Sequence, residues 1–203
     1  MTPNRFRTIA EPGDAQTRVL GSRFLGTAVK VNNAVETARF IEEAKRRYHD
    51  ATHWCFAVRH GVGNEQVEKS SDAGEPRGTA GVPILREIQN RDLTNCLVVV
   101  TRYFGGTKLG TGNLARAYAE CAALALDTAG WVEEEITSRI HIECDYDDQS
   151  IVYHVARRFR AVVEPCSSSM RVCLLLHLPP DAVPAATAAL QEESRGRILV
   201  REP

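Results

Sequence analysis

The stretch CLVVVTRYFGGTKLGTGNLARAYAECAALALDTAG, residues 96–130, decides how this chain is read. From Cys96 the run is short, continuous and apolar, which is the pattern of a buried strand. It breaks into GGTKLGTG, where Gly105, Gly106, Gly110 and Gly112 fall within eight residues. A helical stretch follows and stops at Gly130, a residue suited to a helix end. Its many alanines permit a close backbone approach to a sheet. Strand, glycine-rich turn and helix in succession describe an α/β unit with a candidate ligand surface at the turn.

The physical reason is the helix start. Backbone N–H groups there have no partner within the helix, and the helix dipole favours negative charge. Arg102, Lys108 and Arg116 place full positive charges in or beside the turn. The spacing is neither G-x-x-x-x-G-K-[ST] nor G-x-G-x-x-G, so both nucleotide fingerprints are absent. The plainer alternative is that the glycines only shape a tight turn and allow close packing.

Working outward, SSDAGEPRGTAGVP (Ser70–Pro83) is too rich in Gly, Pro and Asp for regular structure. Asp72 and Glu75 are candidate catalytic carboxylates, but spacing alone does not bring two groups to a working distance. An Asx-type turn, with Asp72 bonding its own backbone, is the competing and favoured role. Pro83 suits the first turn of a short helix whose Ile84, Leu85 and Ile88 face inward. HWCFAVRHG, from His53, reads as a strand ending in a turn at Gly61 and Gly63. Further upstream a strand spans about Gly21 to Val31. Asn33 is an N-cap with Glu36 three residues on, and the stripe Val35, Ala38, Ile41, Ala44, Tyr48 is core. Residues 1–12 read as a mobile arm.

The last third changes rhythm. Ile136, Ser138, Ile140, Ile142 and Cys144 alternate with polar residues as one strand. Asp147 caps a helix carrying Ile151, Val155 and Phe159, and its basic edge Arg157, Arg158, Arg160 reads as a solvated face. An apolar run near Val162, a turn at Ser167–Ser169 and the strand MRVCLLLHL follow. Asp181 caps another helix, with Pro184 in its first turn and Gly196 after its end, before the strand RILVRE. The order β-α-β-β-α-β is the ferredoxin-like split βαβ arrangement. The expected fold is α+β in two domains, residues 1–134 and 135–203.

Composition narrows the function. At 203 residues, 43% hydrophobic and 25% charged, the chain is ordinary globular protein. No apolar run approaches a membrane span and no signal segment opens the sequence, so the expectation is a cytoplasmic protein with no membrane partner. Net charge is −1. The first 134 residues carry 17 Lys/Arg against 16 Asp/Glu and the remainder 8 against 10, so RNA contact must come from a local face. Six cysteines occur singly with no C-x-x-C pair, which points away from a structural zinc and from a disulfide framework. His49 and His53 are four apart without the H-E-x-x-H pattern, and no metal or other cofactor is expected.

SDAGEPRGTAGVPIL together with LTNCLVVVTRYFGGTKLGTGNLARAY resembles the YigZ/IMPACT family. The resemblance continues through GSRF, HWCFA and SRGRILV, and is to the bacterial YigZ branch because a ferredoxin-like C-terminal domain follows. It implies a ribosomal-protein-S-five domain-two-like α/β sandwich first, then a domain similar to the last domain of the translocating elongation factor. The shared positions map onto Ser71, Asp72, Gly74, Glu75, Pro76, Gly78, Thr79, Ala80, Gly81 and Pro83. In the second motif they map onto Arg102, Tyr103, Gly105, Gly106, Leu109, Gly110, Gly112 and Tyr118. Ala73 stands in place of a usual Asp, Val82 in place of a common Lys, and Asn113 in place of a frequent Gly, where it is a candidate N-cap.

Eukaryotic relatives regulate translation initiation through a protein partner. The resemblance therefore implies a non-enzymatic, translation-associated protein that binds RNA or the ribosome. In that reading Arg102, Lys108 and Arg116 neutralise phosphates while Tyr103 or Phe104 stacks on a base. Two other readings stay open: an enzyme acting on a small phosphorylated substrate with Asp72 or Glu75 as base, and a regulator that binds a translation-related protein.

Overall fold

A computed structural model describes residues 5–166 and 171–201. The chain divides into two compact units, Met1–Glu134 and Glu135–Pro203. In the first, β1 (Arg5–Ile9), β2 (Gly13–Val19) and β3 (Ser22–Lys30) precede α1 (Ala34–Arg47). Then come β4 (His53–His60), β5 (Val67–Ser71), α2 (Gly81–Asn90), β6 (Cys96–Tyr103), α3 (Thr111–Ala129) and β7 (Trp131–Glu135). Five strands form one antiparallel sheet in the order β2-β3-β6-β4-β5.

The apolar run at residues 96–100 is explained by its place at the centre of this sheet. Cys96, Val98 and Val100 join a core with Phe24, Ile84, Ile88 and the buried face of α3. Leu97 and Val99 point the other way and pack with Val29, Val31 and Val58 beneath Phe40, Ile41 and Ala44 of α1. A strand covered on both faces has no solvent side to mark with polar residues, so it does not alternate.

Helix α3 lies unusually close to the sheet. A Cβ on Gly26 would sit 2.9 Å from the Cys121 carbonyl oxygen and 3.2 Å from the Ala125 Cβ. The alanine-rich face of α3 and the bare backbone of β3 therefore fit each other, as the sequence suggested.

Two expectations fail in this unit. Residues 5–9 are not an arm: β1 pairs with β7, and the Thr94 amide donates to the Arg7 carbonyl at 2.9 Å. That short ladder lacks an apolar alternation that a sequence scan would register. Val35 is 79% exposed, and Ala38 is exposed as well, rather than core. The inward side of α1 runs instead through Thr37, Phe40, Ile41 and Ala44. The N-cap itself is as expected, with the Glu36 amide donating to Asn33 Oδ1 at 2.9 Å. The Glu36 carboxylate reaches back to the Asn32 amide at 2.8 Å.

The second unit contains β8 (Ser138–Cys144), α4 (Gln149–Arg158), β9 (Val162–Cys166), β10 (Val172–Leu178), α5 (Val183–Glu193) and β11 (Leu199–Arg201). Its sheet runs β11-β8-β10-β9, all antiparallel, which is the strand order of a split βαβ fold. Ile140, Ile142, Leu174, Leu176 and Leu178 meet Val152, Val155, Ala186 and Leu190 of the helices in one core.

Three details differ from the sequence reading. A 3-10 turn at Tyr146–Asp148 precedes α4, so Asp148 rather than Asp147 is the N-cap, and its carboxylate is held by Arg197 at 2.6 Å instead of capping. Likewise Pro180–Ala182 forms a 3-10 turn, making Ala182 the cap of α5. The third is a disulfide between Cys166 and Cys173, which face each other across the β9–β10 pair. Spacing along the chain did not reveal it because hairpin register, not sequence proximity, brings the sulfurs together. The turn expected at Ser167–Ser169 lies outside the described residues.

Gly26→Ala places a methyl group against the α3 backbone, and we expect a loss of about 1–3 kcal/mol of stability by urea denaturation. An unchanged midpoint would contradict the close approach of α3 to β3.

Candidate functional site

The two motif segments meet in the first unit. Arg102, near the end of β6, is buried, and its Nη1 donates to Glu75 Oε1 at 2.7 Å. The side chains of this pair are only 6% and 4% exposed. Tyr118 of α3 donates its hydroxyl to the same Glu75 oxygen at 2.7 Å. Arg102 Nη2 donates to Ser22 Oγ at 3.1 Å, and Ser22 Oγ also accepts the Gly105 amide at 3.2 Å. The guanidinium lies 5.5 Å from the ring centres of both Phe24 and Phe104. Phe24 in turn meets Tyr118 edge-on with centroids 5.1 Å apart.

His53 and Cys55 of β4 complete the cluster. His53 Nε2 is 3.8 Å from Glu75 Oε2, and Nδ1 is 2.9 Å from the Ala73 carbonyl. A carbonyl only accepts, so Nδ1 carries the proton. The Cys55 thiol donates to the Asp72 carbonyl at 3.0 Å and is 3.3 Å from the Tyr118 hydroxyl. Burial, reinforced by Glu75 and Asp72, pushes the thiol up to about 12. Burial also raises the Tyr118 phenol, with Cys55 and Glu75 adding to the shift. Cys55 is therefore a packed thiol and a weak nucleophile.

Asp72 binds backbone amides, but not in the local Asx-type turn expected from sequence, because its partners lie six to nine residues on. Its Oδ2 accepts from the Gly78 amide at 2.8 Å; its Oδ1 accepts from Ala80 at 3.0 Å and Gly81 at 2.9 Å. The Gly81 amide belongs to the first residue of α2, so Asp72 serves as that helix's terminal anion from a distance in sequence. Burial works to raise its pKa, but the three amides and the Arg77 charge outweigh it and hold the carboxyl below its ordinary value. Ala73 sits at φ 44, a left-handed backbone that an Asp or Asn tolerates better. The Thr79 hydroxyl bonds the Pro76 carbonyl at 2.6 Å, tightening the loop, and Pro83 is buried in the first turn of α2.

The second motif divides. Gly105 is packed: a side chain there would collide with the Gly21 and Ser22 backbone. Gly106 and Gly110 have φ of 85 and 75, and a Cβ on either would meet nothing within 4 Å. Gly112 has open space and no positive φ, so neither packing nor backbone conformation accounts for it. Gly110 is the N-cap of α3 and offers no side-chain cap. Asn113 is not the cap; its amide donates back to the Leu109 carbonyl at 3.0 Å, and its Oδ1 accepts from Arg116 at 2.7 Å. Lys108 is exposed and makes no hydrogen bond or ion pair with a described residue.

Arg102 and Tyr103 are thus placed differently from the sequence expectation. Arg102 is committed to Glu75 inside the protein. Tyr103 is occupied on both ends, its ring 4.4 Å from the Arg23 guanidinium and its hydroxyl donating to Asp50 at 2.7 Å. Phe104 is the exposed aromatic, at 47%. The parts of Ser22, His53 and Cys55 in the cluster were missed. Ser22 lies in the strand read from about Gly21 to Val31, and His53 and Cys55 lie in the strand HWCFAVRHG, where nothing in the pattern marks them as neighbours of Glu75.

These two motifs fall within residues 20–126, which match the Impact N-terminal domain family. The chain belongs to the IMPACT family. It is 40% identical over 141 residues to the IMPACT family member YvyE of Bacillus subtilis, a match covering 70% of this chain and 64% of that relative. The match with an IMPACT family member of Thermus thermophilus is 34% identical over 186 residues, covering 88% and 97%. The crystal structure of a hypothetical protein superposes over 100% of this chain and 98% of its own, with a TM-score of 0.76 and 26% identity. Among the described residues, no helix is long and apolar enough to cross a membrane.

Two outcomes follow from this geometry. Glu75→Gln leaves the Arg102 charge buried without its counterion, and we expect a loss of about 3–5 kcal/mol in urea denaturation. Asp72→Asn removes an acceptor from the loop and costs about 1–2 kcal/mol, as loss of a helix cap does. Because the folded pKa of Asp72 is depressed, its contribution is present above the unfolded value of about 3.9 and lost as pH falls through the folded value. The stability gap between wild type and Asp72→Asn should therefore close on acidification; a gap that widens would refute the assignment.

Proposed function

We propose that this IMPACT-family protein is a non-enzymatic, translation-associated regulator that contacts RNA or the ribosome through the exposed turn from Phe104 to Gly112. The supporting observation is the α3 start. It has no side-chain cap, its glycines are not explained by packing at positions 106, 110 and 112, and Lys108 beside it has no partner among the described residues. A helix start without a side-chain cap, a cation and the Phe104 ring suit a phosphate with an adjoining base. Arg116 supplies a second cation once it exchanges Asn113 for phosphate.

The enzymatic reading loses its proposed bases to internal duty. Asp72 accepts three backbone amides, and Glu75 is shared between Arg102 and Tyr118. The strand order of the second unit agrees with the similarity to the last domain of the translocating elongation factor that the family resemblance implies. The family resemblance implies eukaryotic relatives that act on translation initiation, which supports this reading of the turn.

Co-sedimentation with ribosomes across a salt series tests this. The log of wild-type affinity should fall steeply with log salt, at roughly 0.7–0.9 per phosphate contact. Lys108→Ala/Arg116→Ala should weaken binding and flatten that slope by about 1–2. Phe104→Ala should weaken binding with the slope unchanged. Arg102 is left intact because its loss would unbalance Glu75. Absence of binding at low salt, or binding indifferent to salt and to these variants, would overturn the proposal.

A further inference from the structure

The open face of the second unit's sheet carries chemistry outside the turn. Leu174, Leu176 and Leu178 of β10 point into the core, so Cys173, Leu175 and His177 face away from it. Cys173 lies opposite Cys166 of β9 on one side and Glu143 of β8 on the other. His141 lies opposite Leu175, one diagonal step from Cys173 on the same face. As a result, a ring nitrogen of His141 and both sulfurs lie within 4.8 Å of one another.

A disulfide has no need of this histidine. His141 is exposed and makes no hydrogen bond or ion pair with a described residue. Two thiolates and an imidazole are a donor set for a borderline-to-soft ion, with a fourth tetrahedral position left to water. Bond lengths of about 2.3 Å to sulfur and 2.0–2.1 Å to nitrogen put ligand atoms roughly 3.4–3.8 Å apart. The Cα atoms of Cys166 and Cys173 are 5.1 Å apart, so the sulfurs reach that separation by side-chain rotation once they are no longer bonded.

We propose that Cys166, Cys173 and His141 form a redox-gated site for a thiophilic divalent cation such as Zn²⁺, open when the disulfide is reduced. A dithiol reductant gives two electrons and two protons to the S–S bond and becomes a disulfide itself. The two resulting thiols release two protons as their thiolates take the metal. Oxidation of the pair returns the two electrons to an acceptor disulfide, re-forms the S–S bond and expels the ion. Register makes the site specific to this hairpin. The remaining cysteines, Cys55, Cys96, Cys121 and Cys144, are buried.

The full-length chain, reduced with a phosphine, freed of reductant without air and titrated with Co²⁺, provides the test. One equivalent should produce sulfur-to-cobalt charge-transfer absorption, and the oxidised protein should produce none. Cys166→Ser should abolish the band. His141→Ala, which leaves the disulfide intact, should weaken Co²⁺ by at least about tenfold, since even outer partners of metal ligands are worth that much. Far-ultraviolet circular dichroism confirms that each variant is folded. The proposal is overturned by a reduced protein without the band, by a band that survives Cys166→Ser, or by unchanged affinity in His141→Ala.

Discussion

The ion pair between Arg102 and Glu75 is the constraint on which the first unit depends. Removing two charges from water is costly, and close geometry with further hydrogen bonds offsets that cost. Ser22 and Tyr118 supply two such bonds from β3 and α3, while the buried Arg102 Nε has no partner among the described residues. Four segments far apart in sequence are thereby held in one register: the end of β6, the loop after β5, the start of β3 and the middle of α3. An apolar replacement of the same volume could match it in stability. It could not match the directional demand, because a guanidinium fork accepts few positions for its partners. The pair thus serves to place the chain emerging from β6, and Gly105 begins the exposed turn already anchored to Ser22.

Charge placement distinguishes the starts of α2 and α3. Helix α2 begins with Gly81, whose amide is taken by the Asp72 carboxylate. The chain supplies its own anion there, and the loop between them is closed by that bond. Helix α3 begins after Gly110 with no carboxylate or hydroxyl as cap. Placing Arg102 against Glu75 cancels the largest nearby charges inside the protein. At the turn itself this leaves the partial positive charge of α3, Lys108 and an exposed Arg116 bonded to Asn113. A modest local field of this kind is consistent with a chain whose net charge is −1.

Much of this was legible in the sequence, for identifiable reasons. The uninterrupted apolar run at Cys96–Val100 signalled a buried strand because two layers of side chains cover it. Asp72 within a Gly-rich loop signalled a backbone-bonding carboxylate, but the expected Asx-type turn is replaced by bonds to amides six to nine residues on, which only the loop's fold brings near. The role of Arg102 was not legible. A basic residue beside glycines looks the same whether it meets solvent or a carboxylate 27 residues earlier. Only the sheet, by setting β4 between β5 and β6, brings Glu75 to it. The pairing of β1 with β7 was hidden for a similar reason, since its partners lie at opposite ends of the unit and neither alternates.

The cysteine hairpin shows the same limit from the other side. Ligand pairs usually reveal themselves as short sequence spacings on one turn or knuckle. Here the seven-residue separation of Cys166 and Cys173 carries no such signature. The alternation that identified β8 and β10 does place His141 and Cys173 on their outward faces. Fixing Cys166 requires the register of β9, a short strand that contains Pro165, and period-two patterning in five residues does not determine it. Once the register Cys173 to Cys166 and Leu175 to His141 is set, the three donors converge without any further adjustment of the backbone. A face that only needed to be solvated would be satisfied by Ser, Thr or Lys at these three positions. Cysteine opposite cysteine with an imidazole on the diagonal is a more specific arrangement than solubility demands, and its chemistry depends on the redox state of one bond.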